Sequence, residues 1–245
     1  MQSTELQALA TPLRETVWRV VETQETAATA AITSSHAEQS RLESLLDNSK
    51  PRLSSDLDGL SYLLFTPFRY PPLPYGSRYG SQFERGILYA ALSLRVAFAE
   101  SAVYLWLFRS GPVDTGPLTE IRDQRSSYSI PVVTQCGLRL SDEPLSGLRP
   151  QLTRADDWSH SQRFGTRARE AGIDALQYPS CRIDGDNMAV FEPRALGHKR
   201  ESDLRSWHMV LDAKRCWFGA TSRDDSFEFS YEQFSQQGKI PHPAL

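Results

Sequence analysis

The run from Ile87 to Phe108 restricts this chain to two architectures: a membrane span, or the buried heart of a globular domain. Its charges decide between them. Arg95 and Glu100 sit near the middle of the run, and each costs about 2.5–3.5 kcal/mol at a bilayer centre. The run also divides at Ser93. Gly86–Leu92 reads as a strand and Leu94–Phe108 as the most regular helix of the chain. A globular domain follows. Composition agrees, since 40% hydrophobic and 23% charged residues over 245 positions suffice for a sizeable core. A formal charge of −3 argues against an electrostatic footprint for nucleic acid or an anionic membrane. A local arginine cluster can still hold a small anion.

The rest of the chain has no internal repeat and no low-complexity tract. Val17–Glu22 reads as a short strand. His36–Asp47 reads as a helix, opened by Ser35 and Glu38 at capping-box spacing and ended by Lys50-Pro51. Leu60–Phe65 reads as a buried strand stopped by Pro67. Phe68–Phe83, with Pro71, Pro72, Pro74, Gly76 and Gly80, is a long loop of the kind that more often carries function than not. Arg109–Arg125 reads as loop and Ser129–Val133 as strand. Trp158–Ala171 is a helix with Gly172 placed for its left-handed cap. Ala175–Tyr178, Met188–Phe191, Trp207–Leu211, Cys216–Gly219 and Phe227–Phe229 are strand-like. Strands outnumber helices and meet through short turns, so the expected fold is α+β, mixed and strand-rich, rather than doubly wound.

Several chemistries are excluded. Cys136, Cys181 and Cys216 offer neither a disulfide framework nor a zinc spacing, and a reducing cytoplasm is the expected location. Met1–Pro12 is polar and carries no signal-peptide core. The five histidines show no metal-ligand spacing, so no metal is expected. There is no P-loop, no Gly-x-Gly-x-x-Gly and no Gly-x-Ser-x-Gly elbow.

What remains is a small set of polar residues in apolar or loop settings. Arg69 and Arg78 flank the Pro/Gly-rich loop, where a guanidinium fork suits phosphate or carboxylate; they can equally be solvated surface charges. Tyr89 lies in an apolar strand, as core packing or as a wall for a planar ring. Glu100 lies in a helix apolar on nearly every side, where an ionised carboxylate needs a partner or a wet pocket. Its other reading is a place on an exposed stripe. Arg95 is not at pairing distance along the helix. Ser180, in Tyr178-Pro179-Ser180-Cys181-Arg182, can bond a ligand or cap a turn.

Five blocks then follow in one order: Phe68-Arg69-Tyr70, Gly76-Ser77-Arg78-Tyr79, Gly86-Ile87-Leu88-Tyr89, Ala97-Phe98-Ala99-Glu100 and Tyr178-Pro179-Ser180-Cys181-Arg182. Together they resemble the RES family, named for an arginine, a glutamate and a serine that map to Arg69, Glu100 and Ser180. Asn187–Pro193 is similar to the family's closing strand. Trp18–Glu22 and the helix before Lys50-Pro51 resemble an N-terminal extension found in one subgroup. The likeness covers roughly residues 15–195, and the segment after His198 matches nothing in it.

The resemblance implies an ADP-ribosyltransferase-like core and a toxin that depletes NAD by cleaving its nicotinamide–ribose bond, with phosphate or water as acceptor. It implies an Xre-type helix-turn-helix antitoxin as partner, a possible homo-oligomer within that complex, and no cofactor, NAD being the substrate. Catalytic roles are implied for Glu100, Arg69, Tyr89 and Ser180, and substrate contacts for Arg78, Tyr79, Asn187 and Arg182. Residues 1–55 are the expected extension and 56–245 the catalytic domain, with strands at 205–230 of unassigned role. Two other outcomes are ADP-ribosyl transfer to a protein and a non-catalytic nucleotide-binding or complex-forming module.

Overall fold

The computed structural model describes residues 2–23, 32–110, 120–222 and 224–243. Among these, six helices and an eight-stranded mixed sheet make an α+β fold. The helices are α1 (Ser3–Ala8), α2 (His36–Ser49), α3 (Tyr62–Arg69), α4 (Leu94–Ser110), α5 (Arg149–Leu152) and α6 (Ser159–Glu170). The strands are β1 (Thr11–Glu22), β2 (Leu88–Ala91), β3 (Ile121–Arg139), β4 (Ala175–Pro179), β5 (Asp186–Val190), β6 (Ser202–Leu211), β7 (Arg215–Ala220) and β8 (Ser226–Ser230).

Hydrogen-bonded neighbours run β1-β2-β5-β4-β3-β6-β7-β8, and β1 also pairs with β3. That extra pairing closes a circuit of five strands, from which β6, β7 and β8 continue as an antiparallel extension. Only β3 and β4 run parallel. The long β3 serves both parts: its first half pairs with β6 and its far end with β4. β1 pairs with β3 along nearly its whole length, so a stretch expected as an extension contributes a sheet strand.

Apolar side chains form three main clusters, and each fixes a different element. Leu13, Val17, Leu64, Phe68, Tyr128 and Met188 lock α3 against the five-stranded circuit. Tyr79, Leu138, Phe164, Leu176 and Phe191 hold α6 against β3, β4 and the long loop. Phe98, Val103, Trp106, Trp207, Phe218 and Phe229 hold α4 on β6–β8. The strands at 205–230 therefore form the platform for α4. Among the described residues, no helix is long and apolar enough to cross a membrane.

Three expectations change. Leu60–Phe65 is not a strand. Residues 62–69 form α3, with Leu64 and Phe68 buried one turn apart. A short apolar run does not separate a strand from a buried helix. Pro67 ought to break the helix by depriving the Leu63 carbonyl of its donor, but the Tyr128 hydroxyl donates to that oxygen at 3.1 Å. Second, β1 and β3 are far longer than Val17–Glu22 and Ser129–Val133. Third, the expected loop Arg109–Arg125 begins as the end of α4 and ends inside β3, and its centre, 111–119, lies outside the described residues.

Candidate functional site

A cleft of about 500 Å³ opens where α4, β2, β5 and the long loop meet. That volume lies within the usual range for a small-molecule site. Glu100 lines the cleft. α4 puts Phe98, Ala102 and Trp106 into the core and turns Glu100, Ser101 and Tyr104 toward the cleft. The helix thus has two partners, protein on one face and a cleft on the other, which explains why its sequence shows no plain polar stripe.

One oxygen of Glu100 is fully engaged. Its Oε1 accepts from the Ser180 hydroxyl and from the Asn187 side-chain amide, each at 2.7 Å. Oε2 accepts no hydrogen bond from the described residues. Asn187 arrives on β5, beside Ala91 of β2. Ser180 is held by a tight turn after β4: its N–H donates to the Gly185 carbonyl at 2.8 Å, and its hydroxyl accepts from Arg182 N–H at 3.0 Å. The backbone fixes the serine, and the serine fixes the carboxylate.

The long loop forms a second wall, clamped from behind by α6. Gln162 donates to the carbonyls of Tyr75 and Ser77 at 2.9 and 3.1 Å. Gly165 lets the helix pass over the loop: a Cβ there would lie 1.9 Å from the Tyr79 carbonyl oxygen. Inside the wall the Tyr89 hydroxyl accepts from Tyr79 N–H and bonds the Ser77 hydroxyl, both at 2.9 Å. Burial pushes the Tyr89, Tyr79 and Tyr178 hydroxyls above the ordinary tyrosine value, so all three stay neutral.

Arg78 reaches the cleft from this loop. One terminal nitrogen donates to the Arg154 carbonyl at 2.6 Å, the other to Cys181 Sγ at 3.0 Å, and the guanidinium lies 5.6 Å from the Trp158 ring centre. Burial opposes its charge, yet its pKa still lies above the ordinary arginine value, and with the neighbouring tyrosines neutral the negative group that favours the guanidinium is Glu100. Burial keeps Cys181 a thiol.

The residues singled out from sequence separate into two groups. Glu100, Tyr89, Arg78, Arg182 and Asn187 line the cleft together. Arg69, Tyr79 and Ser180 do not. Arg69 closes α3, and its Nε donates to the Pro51 carbonyl at 2.7 Å; the helical conformation of Tyr62–Arg69 carries it behind Tyr70. Tyr79 is fully buried, its ring edge-on to Tyr178 at 4.8 Å. Ser180 stands behind Glu100, bonded to it. Conversely, Trp18 and Arg19 of β1, Tyr75, Tyr104 and Trp158 line the cleft without having been singled out. For Arg19 the available signal was a charge beside a tryptophan in an otherwise apolar strand. Among the described residues, no group of histidine, cysteine, aspartate and glutamate side chains could hold a metal ion.

Comparison with known proteins gives a family and a distant structural likeness. The family model described as the RES domain matches residues 52–212. A chain of the M. tuberculosis MbcT-MbcA toxin-antitoxin complex is similar over 86% of this chain and 90% of its own, at 15% identity and a TM-score of 0.48. No curated protein matches the chain.

Proposed function

The chain belongs to the RES domain family, and from that membership and the geometry of the cleft we propose that it is an enzyme that cleaves the nicotinamide–ribose bond of NAD. The observation that carries the proposal is Glu100. Its Oε1 is saturated by Ser180 and Asn187, and the residue still lines the cleft. A carboxylate held this way is preorganised, which costs nothing further at the moment of reaction.

Cleavage of this bond needs no strong acid, because nicotinamide leaves as a neutral molecule. The bond to C1′ of the ribose breaks with its electron pair going to the pyridinium nitrogen. Positive charge develops on the ribose, and water or phosphate then attacks C1′, giving ADP-ribose or its 1-phosphate. Glu100 is the negative group for that developing charge. Arg19, Arg78 and Arg182 are the cations available in the cleft for the pyrophosphate. Tyr89 and Tyr178 present aromatic surface for a planar ring, and Ser180 is a positioning residue behind Glu100.

Such an enzyme harms the cell that makes it. We place it as the toxin of a toxin–antitoxin pair, restrained by a helix-turn-helix partner that covers the cleft beside the 70–83 loop. Expression of the chain alone should lower cellular NAD and stop growth. Strong expression of folded protein with unchanged NAD contradicts the proposal.

A further inference from the structure

The C-terminal segment runs from the α4 and β6–β8 core back to the cleft wall. A turn at Gln237 and Gly238, both with positive φ, reverses the chain, and Ile240 is then buried beside Phe234 in the core under α4. Past that anchor, two residues meet the cleft wall. The Pro241 carbonyl accepts from a terminal nitrogen of Arg182 at 2.8 Å. The His242 ring is buried edge-on among Trp158, Tyr75 and Tyr104, at centroid distances of 4.8, 5.8 and 5.8 Å. All four of these partners line the cleft.

The contacts fall on four parts of the chain that other bonds also link: Gln162 to the Tyr75 carbonyl, Arg78 to Cys181 and Ser180 to Glu100. Tyr75 belongs to the long loop, Tyr104 to α4, Trp158 to the start of α6 and Arg182 to the turn after β4. One of those rings, Trp158, also carries the Arg78 guanidinium. Tyr75 and Tyr104 are 41% and 52% exposed, so little else in the described residues covers them. Burial, helped by Arg182 and Arg78, pulls the His242 imidazole down to about 4. At neutral pH the ring is uncharged and adds no third cation to this end of the cleft.

We infer that residues 239–243 complete the binding cleft: Pro241 aims Arg182 and the His242 ring holds Tyr75, Tyr104 and Trp158 together, so this segment sets ligand affinity rather than turnover. The ligand class it suits is an anion bearing a planar ring, since two guanidiniums and a group of aromatic faces share this end. His242 is a positioning residue in this account. The inference rests on the NAD reading only for the choice of ligand probe.

The test uses the full chain as wild type, His242→Ala and His242→Phe, with two readouts. The first is amide hydrogen exchange without ligand over residues 73–79 and 180–184. The second is NAD affinity, with kcat measured beside KM. The Ala variant should exchange faster in both segments and bind NAD about tenfold more weakly, the scale of a few lost aromatic contacts, with kcat changed far less. The Phe variant, which keeps the edge-on rings, should restore both. If Ala fails to fold, His242→Leu keeps bulk without the ring and should show the same two changes. Wild-type exchange in the Ala or Leu variant overturns the inference. So does faster exchange with undiminished NAD affinity, which leaves a purely structural tail. If the wild type does not bind NAD at all, the NAD reading fails, and the exchange pattern alone still decides whether His242 organises the cleft.

Discussion

Replacing Glu100 with glutamine separates the charge of this residue from its hydrogen bonds. The glutamine carbonyl can take the place of Oε1 and accept from Ser180 and Asn187 as the carboxylate does at 2.7 Å. Both bonds weaken from charge-assisted to neutral, a change of about 1 kcal/mol each. Relief of a half-buried carboxylate offsets part of that. Net stability should move by about 1 kcal/mol or less. Turnover should behave differently. A preorganised group facing developing charge contributes about 10²-fold or more, equivalent to about 2.7 kcal/mol of transition-state stabilisation. NAD binding should change little, because the ribose gains its charge mainly on the way to the transition state. Glu100→Ala is the harsher comparison: it strands the Ser180 hydroxyl and the Asn187 amide, at about 1–3 kcal/mol each. The assay is nicotinamide release alongside thermal unfolding of both variants. A Gln variant that keeps full turnover contradicts the role given to Glu100.

Three further outcomes follow from the same geometry. Arg78→Ala should weaken NAD binding about tenfold or more by removing a cleft guanidinium, whereas Arg69→Ala, which loses its bond to Pro51 and its contact with the Tyr70 ring, should leave NAD affinity nearer wild type; titration calorimetry separates them. Gly165→Ala should displace the Tyr79 backbone and cost about 3 kcal/mol or more of stability, read in a denaturant melt, because its Cβ would lie 1.9 Å from a carbonyl oxygen. Stability should fall as pH drops from 6.5 to about 4, since over that window the unfolded chain protonates His242 and the folded chain does not; His242→Phe should flatten that part of the profile. Asp56, held below 3.8 by Arg85, and Asp212, held there by Lys214 N–H, add their losses at lower pH.

The elements with a period or a cap were legible in the sequence. α4, α6 with its Gly172 cap, and the strands at 175–230 stand within a few residues of where pattern places them. Glu100 was legible as well, because a carboxylate in an apolar helix demands an explanation. α3 was not, since its stability depends on the Tyr128 hydroxyl, more than sixty positions away, satisfying a carbonyl that Pro67 abandons. The same change of element places Arg69 at a helix end, where its Nε donates to the Pro51 carbonyl and its guanidinium lies against the ring of the cleft-lining Tyr70. Arg19 and His242 were harder to read for a related reason. Each reaches its place through long-range contacts, one through β1 in the sheet and the other through a tail anchored by Ile240; the charge beside Trp18 was a local hint for Arg19, and His242 had none.

Whether this cleft breaks the bond between nicotinamide and ribose can be read directly. The direct measurement is to incubate the purified chain with NAD, in water and again with phosphate, and follow free nicotinamide by NMR. Nicotinamide should appear in proportion to enzyme, with ADP-ribose or its 1-phosphate as the second product and no protein acceptor required. Intact NAD after prolonged incubation with folded chain would contradict the proposed cleavage.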